Sequence, residues 1–405
     1  MRLLFLSPTG QYGGAEAALV ELLTGLRDCY PDWQLSVVAA SEGGLVDRLR
    51  ALGLSVMVLP FPPRFAKVGE WGTGPSFGSR VRLLWACLAA GAATIGYVRR
   101  LRRVAAAMAP DIVQSNGVKM HLLTTWVAPR HAAVVWHVHD YVGRRALSAR
   151  ALRWMARWCA AALANSDSVA RDLTSVLRGR VPVHRVWNAV DIERYSGSGP
   201  VLDLDGLARL PPSGLGVTRV GLVATFARWK GHRTFLRALS LLPASLQVRG
   251  YIVGGPVYAT DASQASLEEL QALTAAEGLE GRVGFVGHVS DTAAAMRALD
   301  VVVHASTEPE PFGLVIAEGM ACGRAVVVSA AGGAREIVTP GVDALAHEPG
   351  DARGLADCIS ALVTDVGLRT RLAAAAREVA ERTFTRTRMV GDVAPIYRSL
   401  VAGPS

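Results

Sequence analysis

Two carboxylates eight positions apart on an otherwise apolar segment are the residues of this chain best suited to chemistry. The segment reads Glu308-Pro-Glu-Pro-Phe-Gly-Leu-Val-Ile-Ala-Glu318-Gly-Met-Ala-Cys-Gly323. A helix should start near Phe312 or Gly313, leaving Glu310 in the preceding loop and Glu318 about one and a half turns inside. A carboxylate on so apolar a helix must find a partner or lose several kcal/mol or so to desolvation. Two acceptor-only groups beside a helix N-terminus suit a polyhydroxylated ligand such as a sugar and a ribose, and the amides of Phe312, Gly313 and Leu314 would face a phosphate. The competing reading is structural, with Glu318 bridging to a buried Arg and Glu310 exposed.

A second segment, Thr225-Phe-Ala-Arg228-Trp-Lys230-Gly-His232, falls between a strand and a helix. Arg228 and Lys230, with a glycine for close approach, are what a diphosphate requires; a solvated basic turn is the alternative. Lys230 is one of three lysines, with Lys67 and Lys119, among 43 basic residues, which points to a specific need for an ammonium. A third segment, Thr9-Gly10-Gln-Tyr-Gly13-Gly14-Ala-Glu16, also joins strand to helix. It lacks the G-x-G-x-x-G spacing of a nicotinamide site, but Gly13 and Gly14 let backbone amides approach an anion or a hydroxyl. In Trp136-His137-Val-His139-Asp140, strand alternation puts His137 and His139 on one face. Zinc would want further ligands, and an isolated His is more often structural than catalytic. Asn188-Ala-Val-Asp191 and Gly332-Gly333-Ala-Arg-Glu336 read as turn-and-cap chemistry.

These segments must be positioned by regular elements. Short β-rich runs (Arg2–Leu6, Leu35–Ala39, Ser55–Leu59, Asp111–Gln114, Val134–Val138, Ala162–Asn165) alternate with Ala/Leu-rich helical stretches such as Ala15–Cys29 and Leu45–Leu52. After the loop-like Gly197–Pro200 and Pro211–Gly214 the pattern restarts. Its strands are Arg219–Val223, Gln247–Val253, Val283–Val286, Val301–His304 and Ala325–Val328, with helices at Arg233–Leu242, Leu267–Gly278, Gly313–Ala321, Ala352–Thr364 and Leu368–Arg382. Strands without polar alternation, each followed by a helix, predict two doubly wound α/β domains, with ligands at the strands' carboxyl ends and the cleft between the sheets as the default site.

The 405 residues fit two domains, or three, at about 150 residues each. A composition of 51% hydrophobic and 19% charged residues excludes disorder and fibrous structure. The net charge of +9 favours an anionic partner such as phosphate, a nucleotide or an acidic membrane surface. Cys29, Cys87, Cys159, Cys322 and Cys358 are scattered and odd in number, which argues against a disulfide framework or structural zinc and for a reducing cytoplasm. MRLLFLSPTG lacks a small-residue cleavage site and reads as a buried first strand rather than a signal peptide. Leu83–Val98 is apolar and flanked by arginines; at about 20 residues for a span it is short, so a domain helix or an interfacial segment is favoured over a transmembrane one. Neither a nucleophile elbow nor a Gly-x4-Gly-Lys-Ser/Thr loop occurs, and aromatic residues, at 6%, do not interleave with basic ones, so nucleic-acid binding is disfavoured.

Taken in order, Gly13-Gly14-x-Glu16, Asn188-x-Val-Asp191, Lys230-Gly231, Glu310-x7-Glu318 and Gly332-Gly333-x-x-Glu336-Ile resemble glycosyltransferase family 4, retaining enzymes of the GT-B fold. The resemblance spans nearly the whole chain and is strongest from about Val220 to Asp365. It implies an acceptor-binding Rossmann-like domain at 1–195, a nucleotide-sugar-binding one at 196–385, and a final helix (386–405) that returns to the first domain. It implies that Glu310 holds donor-sugar hydroxyls, Glu318 the ribose, and Lys230 the leaving diphosphate, helped by the Phe312–Leu314 amides. Gly14 would lie near the phosphate or acceptor and His139 near the sugar's outer hydroxyl or the reacting face. Family members carry an Arg five residues before the motif Lys; here that position is Thr225, and Arg228 is the substitute expected.

The implied reaction moves a sugar from a nucleoside-diphosphate sugar to an acceptor in glycan, polysaccharide or glycolipid biosynthesis, with neither metal nor cofactor. The acceptor would be a glycan or lipid-linked, and the enzyme cytoplasmic, peripheral on the inner membrane face. Rival readings are a sugar-nucleotide epimerase of the same architecture and a non-catalytic sugar-nucleotide-binding subunit.

Overall fold

In a computed structural model, which describes residues 1–63, 77–256 and 264–402, the chain forms two α/β units. The first comprises Met1–Ala189 together with the C-terminal helix Arg386–Ala402, and the second Val190–Thr385. The run Val190–Tyr195 belongs with the second unit through local bonds. Val190 N donates to Phe384 O (2.9 Å), Arg377 Nη1 to Tyr195 O (2.9 Å), and Arg297 Nη1 to Arg194 O (3.0 Å).

The first unit is built on β1 (Arg2–Ser7), β2 (Gln34–Ala39), β3 (Ser55–Val58), β4 (Ile112–Asn116), β5 (Ala133–Val138), β6 (Ala161–Ala164) and β7 (Val183–Arg185). They form a parallel sheet in the order β3-β2-β1-β4-β5-β6-β7, with Leu3 in register with Leu35 on one side and Ile112 on the other. Leu3, Leu4, Phe5 and Leu6 are all buried, as a strand covered on both faces requires. One face takes the Gly14–Cys29 helix, whose Leu19, Leu22, Leu23 and Leu26 recur at helical spacing, and the C-terminal helix, through Met389, Val390, Val393 and Tyr397. A Cβ at Gly25 would lie 2.7 Å from Val390 Cγ2, so that glycine permits the close helix contact. On the other face the Phe77–Met108 helix lays Tyr97, Leu101 and Ala105 against Leu4, Leu6 and Val113. The apolar run Leu83–Val98 belongs to this helix, although the side chains of 77–90 and 92 lie outside the described ones. Among the described residues, no helix is long and apolar enough to cross a membrane.

The second unit contains β8 (Thr218–Val223), β9 (Val248–Val253), β10 (Val283–Gly287), β11 (Val301–His304), β12 (Ala325–Ser329) and β13 (Leu345–His347). All are parallel, in the order β10-β9-β8-β11-β12-β13. This is the doubly wound order in which connections leave β8 and β11 toward opposite faces, opening a crevice at their carboxyl ends. The loops after β8 and β11 carry the two motifs singled out above. The edge strands β7 and β13 were not anticipated; at three residues each, Val-His-Arg and Leu-Ala-His, they are too short to show a period.

Candidate donor site in the second unit

After β8 the chain makes a tight turn, Arg228–Lys230, and passes through Gly231 at φ +78° into the His232–Ser240 helix. After β11 it runs through Ala305 and Ser306 to Glu310, then through Gly313 at φ +95° into the Leu314–Ala321 helix. The two loops are joined: Thr307 N donates to Trp229 O (2.8 Å), and a Cβ at Gly231 would lie only 1.8 Å from Ala305 O. No side chain fits between these backbones, so the glycine brings Lys230 onto Glu310. Lys230 Nζ lies 2.8 Å from Glu310 Oε2 and 3.1 Å from Oε1, with both side chains largely buried.

Glu310 is further held by residues the motif reading missed. Ser306 Oγ donates to Oε2 (2.8 Å), and His304 Nε2 lies 3.1 Å from the same oxygen. Ser329 Oγ in turn donates to Ser306 O (2.6 Å). Burial alone would raise the Glu310 pKa, but the Lys230 charge and the His304 contact hold the carboxyl well below its ordinary range. The Glu310 peptide is clamped as well, its N–H donating to Ala331 O (3.3 Å) and its carbonyl accepting from Gly333 N (2.7 Å). Gly332-Gly333, read from sequence as a turn, thus fixes the backbone of the acidic residue. A polar His304 ending an all-valine strand is the signal that could have drawn attention to this network.

Glu318 is half-buried and sits beside Tyr195. Burial and the Glu318 charge push the Tyr195 hydroxyl up, and that hydroxyl lies 2.7 Å from Thr292 Oγ1. Tyr195 and Thr292 were not foreseen. Phe312 is buried edge-on to Phe384 (5.9 Å between ring centroids), anchoring the loop so that the amides of Gly313 and Leu314 precede the first intrahelical bond, Ile316 N to Gly313 O. Arg228 is turned elsewhere: it is half exposed and makes a bidentate pair with Glu269 (2.7 and 2.9 Å).

In the first unit, Gly13 and Gly14 open the Gly14–Cys29 helix, and Gly13 has an extended backbone. The Glu16 carboxyl folds back onto the Gly13 amide, and its burial raises its pKa despite that bond. At the end of β5, His137 and His139 share a face, their ring centroids 4.1 Å apart, as alternation requires. His139 Nε2 is 3.4 Å from Asn116 Nδ2, and His137 Nδ1 is 3.4 Å from Gln114 Nε2. Burial pushes His139 down to about 4 and His137 well below its ordinary value, so both imidazoles are neutral near pH 7.

Two sequence profiles match the chain: "Glycosyltransferase Family 4" over residues 12–194 and "Glycosyl transferases group 1" over 217–365. The fold is similar to that of Anabaena HepE, solved with UDP-glucose, at 26% identity and a TM-score of 0.78, covering 98% of this chain and 99% of that one. It also resembles sucrose-phosphate synthase of Thermosynechococcus elongatus (19% identity, TM-score 0.73, 99% of each chain), a likeness of fold alone. Among curated proteins, the D-inositol 3-phosphate glycosyltransferase of Xylanimonas cellulosilytica is 45% identical over 86 residues, 21% of this chain and 20% of that protein. The phosphatidyl-myo-inositol mannosyltransferase of Mycobacterium leprae is 33% identical over 113 residues, 28% of this chain and 30% of that protein. These alignments thus span under a third of the curated relatives' length. The paired profile matches, one to each α/β unit, and the full-length structural likeness agree: the chain belongs to the group 1, family 4 glycosyltransferases.

Proposed function

We propose that the protein transfers a sugar, with retention, from a nucleoside-diphosphate sugar to an acceptor hydroxyl in glycan or glycolipid assembly. The observation that carries this reading is the buried Lys230–Glu310 contact at the crevice where the strand order of the second sheet reverses. An arriving diphosphate would draw Lys230 off Glu310 and onto its own oxygens, and the freed carboxylate would accept hydrogen bonds from sugar hydroxyls. The Phe312, Gly313 and Leu314 amides would add donors to the departing phosphate, and Glu318 with Tyr195 would hold the ribose. Charge growing on the leaving group is thereby met by fixed donors, the preorganisation that lowers such barriers. The reading assigns that task to Lys230 and the amides without a metal ion. His139, neutral, would meet a sugar hydroxyl. Retention would follow from same-face attack, with the leaving phosphate taking the acceptor's proton.

UDP-sugars are the first donors to test, because the similar Anabaena structure was solved with UDP-glucose. The acceptor is assigned to a glycan or lipid carrier on the cytoplasmic membrane face. Incubation with a panel of nucleoside-diphosphate sugars, with and without lipid-linked saccharides, should release diphosphate only when an acceptor is present. The product's anomeric configuration, read by NMR, should match the donor's. Interconverted donor would identify an epimerase, and donor binding without turnover a non-catalytic subunit.

A further inference from the structure

Away from the residues assigned to chemistry, the first unit carries an exposed aromatic cluster. Trp126, Trp154 and Trp158 are 55%, 52% and 43% exposed. Trp154 and Trp158 meet edge to face at 5.3 Å, and Trp126 lies 6.3 Å from Trp158. The Arg157 guanidinium stands 3.9 Å over Trp158 and 4.5 Å over Trp154. The local sequence explains the geometry. In the helix Ala146–Met155 and the turn Ala156–Trp158, Ala149, Leu152, Met155 and Ala156 are buried. Leu147, Arg150, Trp154 and Trp158 recur at three- and four-residue steps along the opposite, exposed face. From Tyr141 to Ser166 the chain has five arginines and no acidic residue.

We propose that this face docks the protein onto an anionic lipid surface, tryptophans entering the headgroup region and arginines meeting the phosphates. Indole rings prefer the membrane–water boundary, where the apolar body and the N–H are both satisfied, and basic residues beside them add attraction to acidic headgroups. Charge complementarity selects this occupant. A second copy meeting the same patch isologously would set arginine against arginine, which phosphate-bearing lipid does not. The inference stands apart from the donor chemistry, because binding to vesicles is measured without turnover.

The full chain is co-sedimented with phosphatidylcholine vesicles with and without phosphatidylglycerol, at low and high salt. The expected result is pelleting only with phosphatidylglycerol, weakened by salt, and reduced about tenfold or more in the triple variant Trp126→Ala/Trp154→Ala/Trp158→Ala. Arg157→Glu should weaken it also. Because these side chains are exposed, thermal unfolding should show the variants folded. A blue shift of tryptophan emission on vesicles should be present in the wild type and reduced in the triple variant. Equal pelleting of the triple variant and the wild type would overturn the assignment of this face, and equal binding to neutral vesicles would overturn the lipid class. A concentration-dependent dimer abolished by the same substitutions would assign the face to a second copy instead.

Discussion

Lys230 and Glu310, eighty positions apart in the chain, meet at 2.8 Å because Gly231 lies flush against the peptide of Ala305. The contact joins the first parallel connection of the second unit to the one that follows β11. Nothing local in either segment specifies it. The strand order does, by placing β8 beside β11.

Removing either charge should therefore cost both stability and turnover. Breaking a largely buried pair costs about 3–5 kcal/mol, because the partner stays buried and uncompensated. Lys230→Met and Glu310→Gln should each lower the thermal midpoint, and each should reduce acceptor-dependent diphosphate release by about 100-fold or more. In the double variant Lys230→Met/Glu310→Gln the destabilisation should fall clearly short of the sum. Additive losses in calorimetry would mean that the pair is not coupled.

The same pair sets an acid limit on stability. Glu310 has a folded-state pKa held below its ordinary value of 4.5. Its contribution is therefore complete above about 4.5 and is lost as pH falls toward the lower folded-state value. Asp205, bound to Arg219, Arg249 and Tyr251, is likewise held low and adds to the same acid loss. Melting curves from neutral pH to below pH 4 should thus fall for the wild type and fall less steeply for Glu310→Gln. Parallel curves for the two proteins would refute the assignment.

Gly231→Ala tests the junction without touching a charged group. The added methyl would meet Ala305 O at 1.8 Å, and φ is +78°, so either the turn or the β11 loop must shift. A loss of about 2 kcal/mol or more is expected from strain together with overpacking. Donor-induced thermal stabilisation should largely disappear, because Lys230 is then displaced. A variant that melts like the wild type and is stabilised by nucleoside-diphosphate sugars to the same extent would show that the close approach is dispensable.

Much of this was legible in the sequence, and the missing parts share a cause. Unbroken apolar runs such as Arg2–Leu6 and Val301–His304 gave away strands buried on both faces, because such strands have no solvent side to mark with polar residues. Glu310 and Lys230 stood out as charges in turns after those strands. His304, Ser306 and Ser329 did not, since a single polar residue at a strand end has no period and its partner lies in another element. Tyr195 was hidden for a further reason: it lies in an irregular run at the start of the second unit, remote in sequence from Glu318 and Thr292. Proximity in sequence does not set a charge's partner: Arg228 follows Glu269 while its near neighbour Lys230 follows Glu310.

His139 gives the last prediction. Burial holds its imidazole at about 4 against an ordinary 6.5, so the folded protein binds its proton less readily than the unfolded chain does. Stability is then full above about 6.5 and declines as pH falls toward 4, and His121 and His137, also depressed, deepen the decline. His139→Asn should make that slope shallower while keeping a polar group beside Asn116. The acidic limb of the turnover profile should contain no step near 6.5 from His139, since the residue stays neutral there. Turnover of His139→Ala should drop by about 100-fold if the imidazole meets a sugar hydroxyl in the transition state, with the Asn variant retaining more. A turnover limb near 6.5 that vanishes in His139→Asn would instead mean that the ring titrates in contact with water and is not buried as a neutral group.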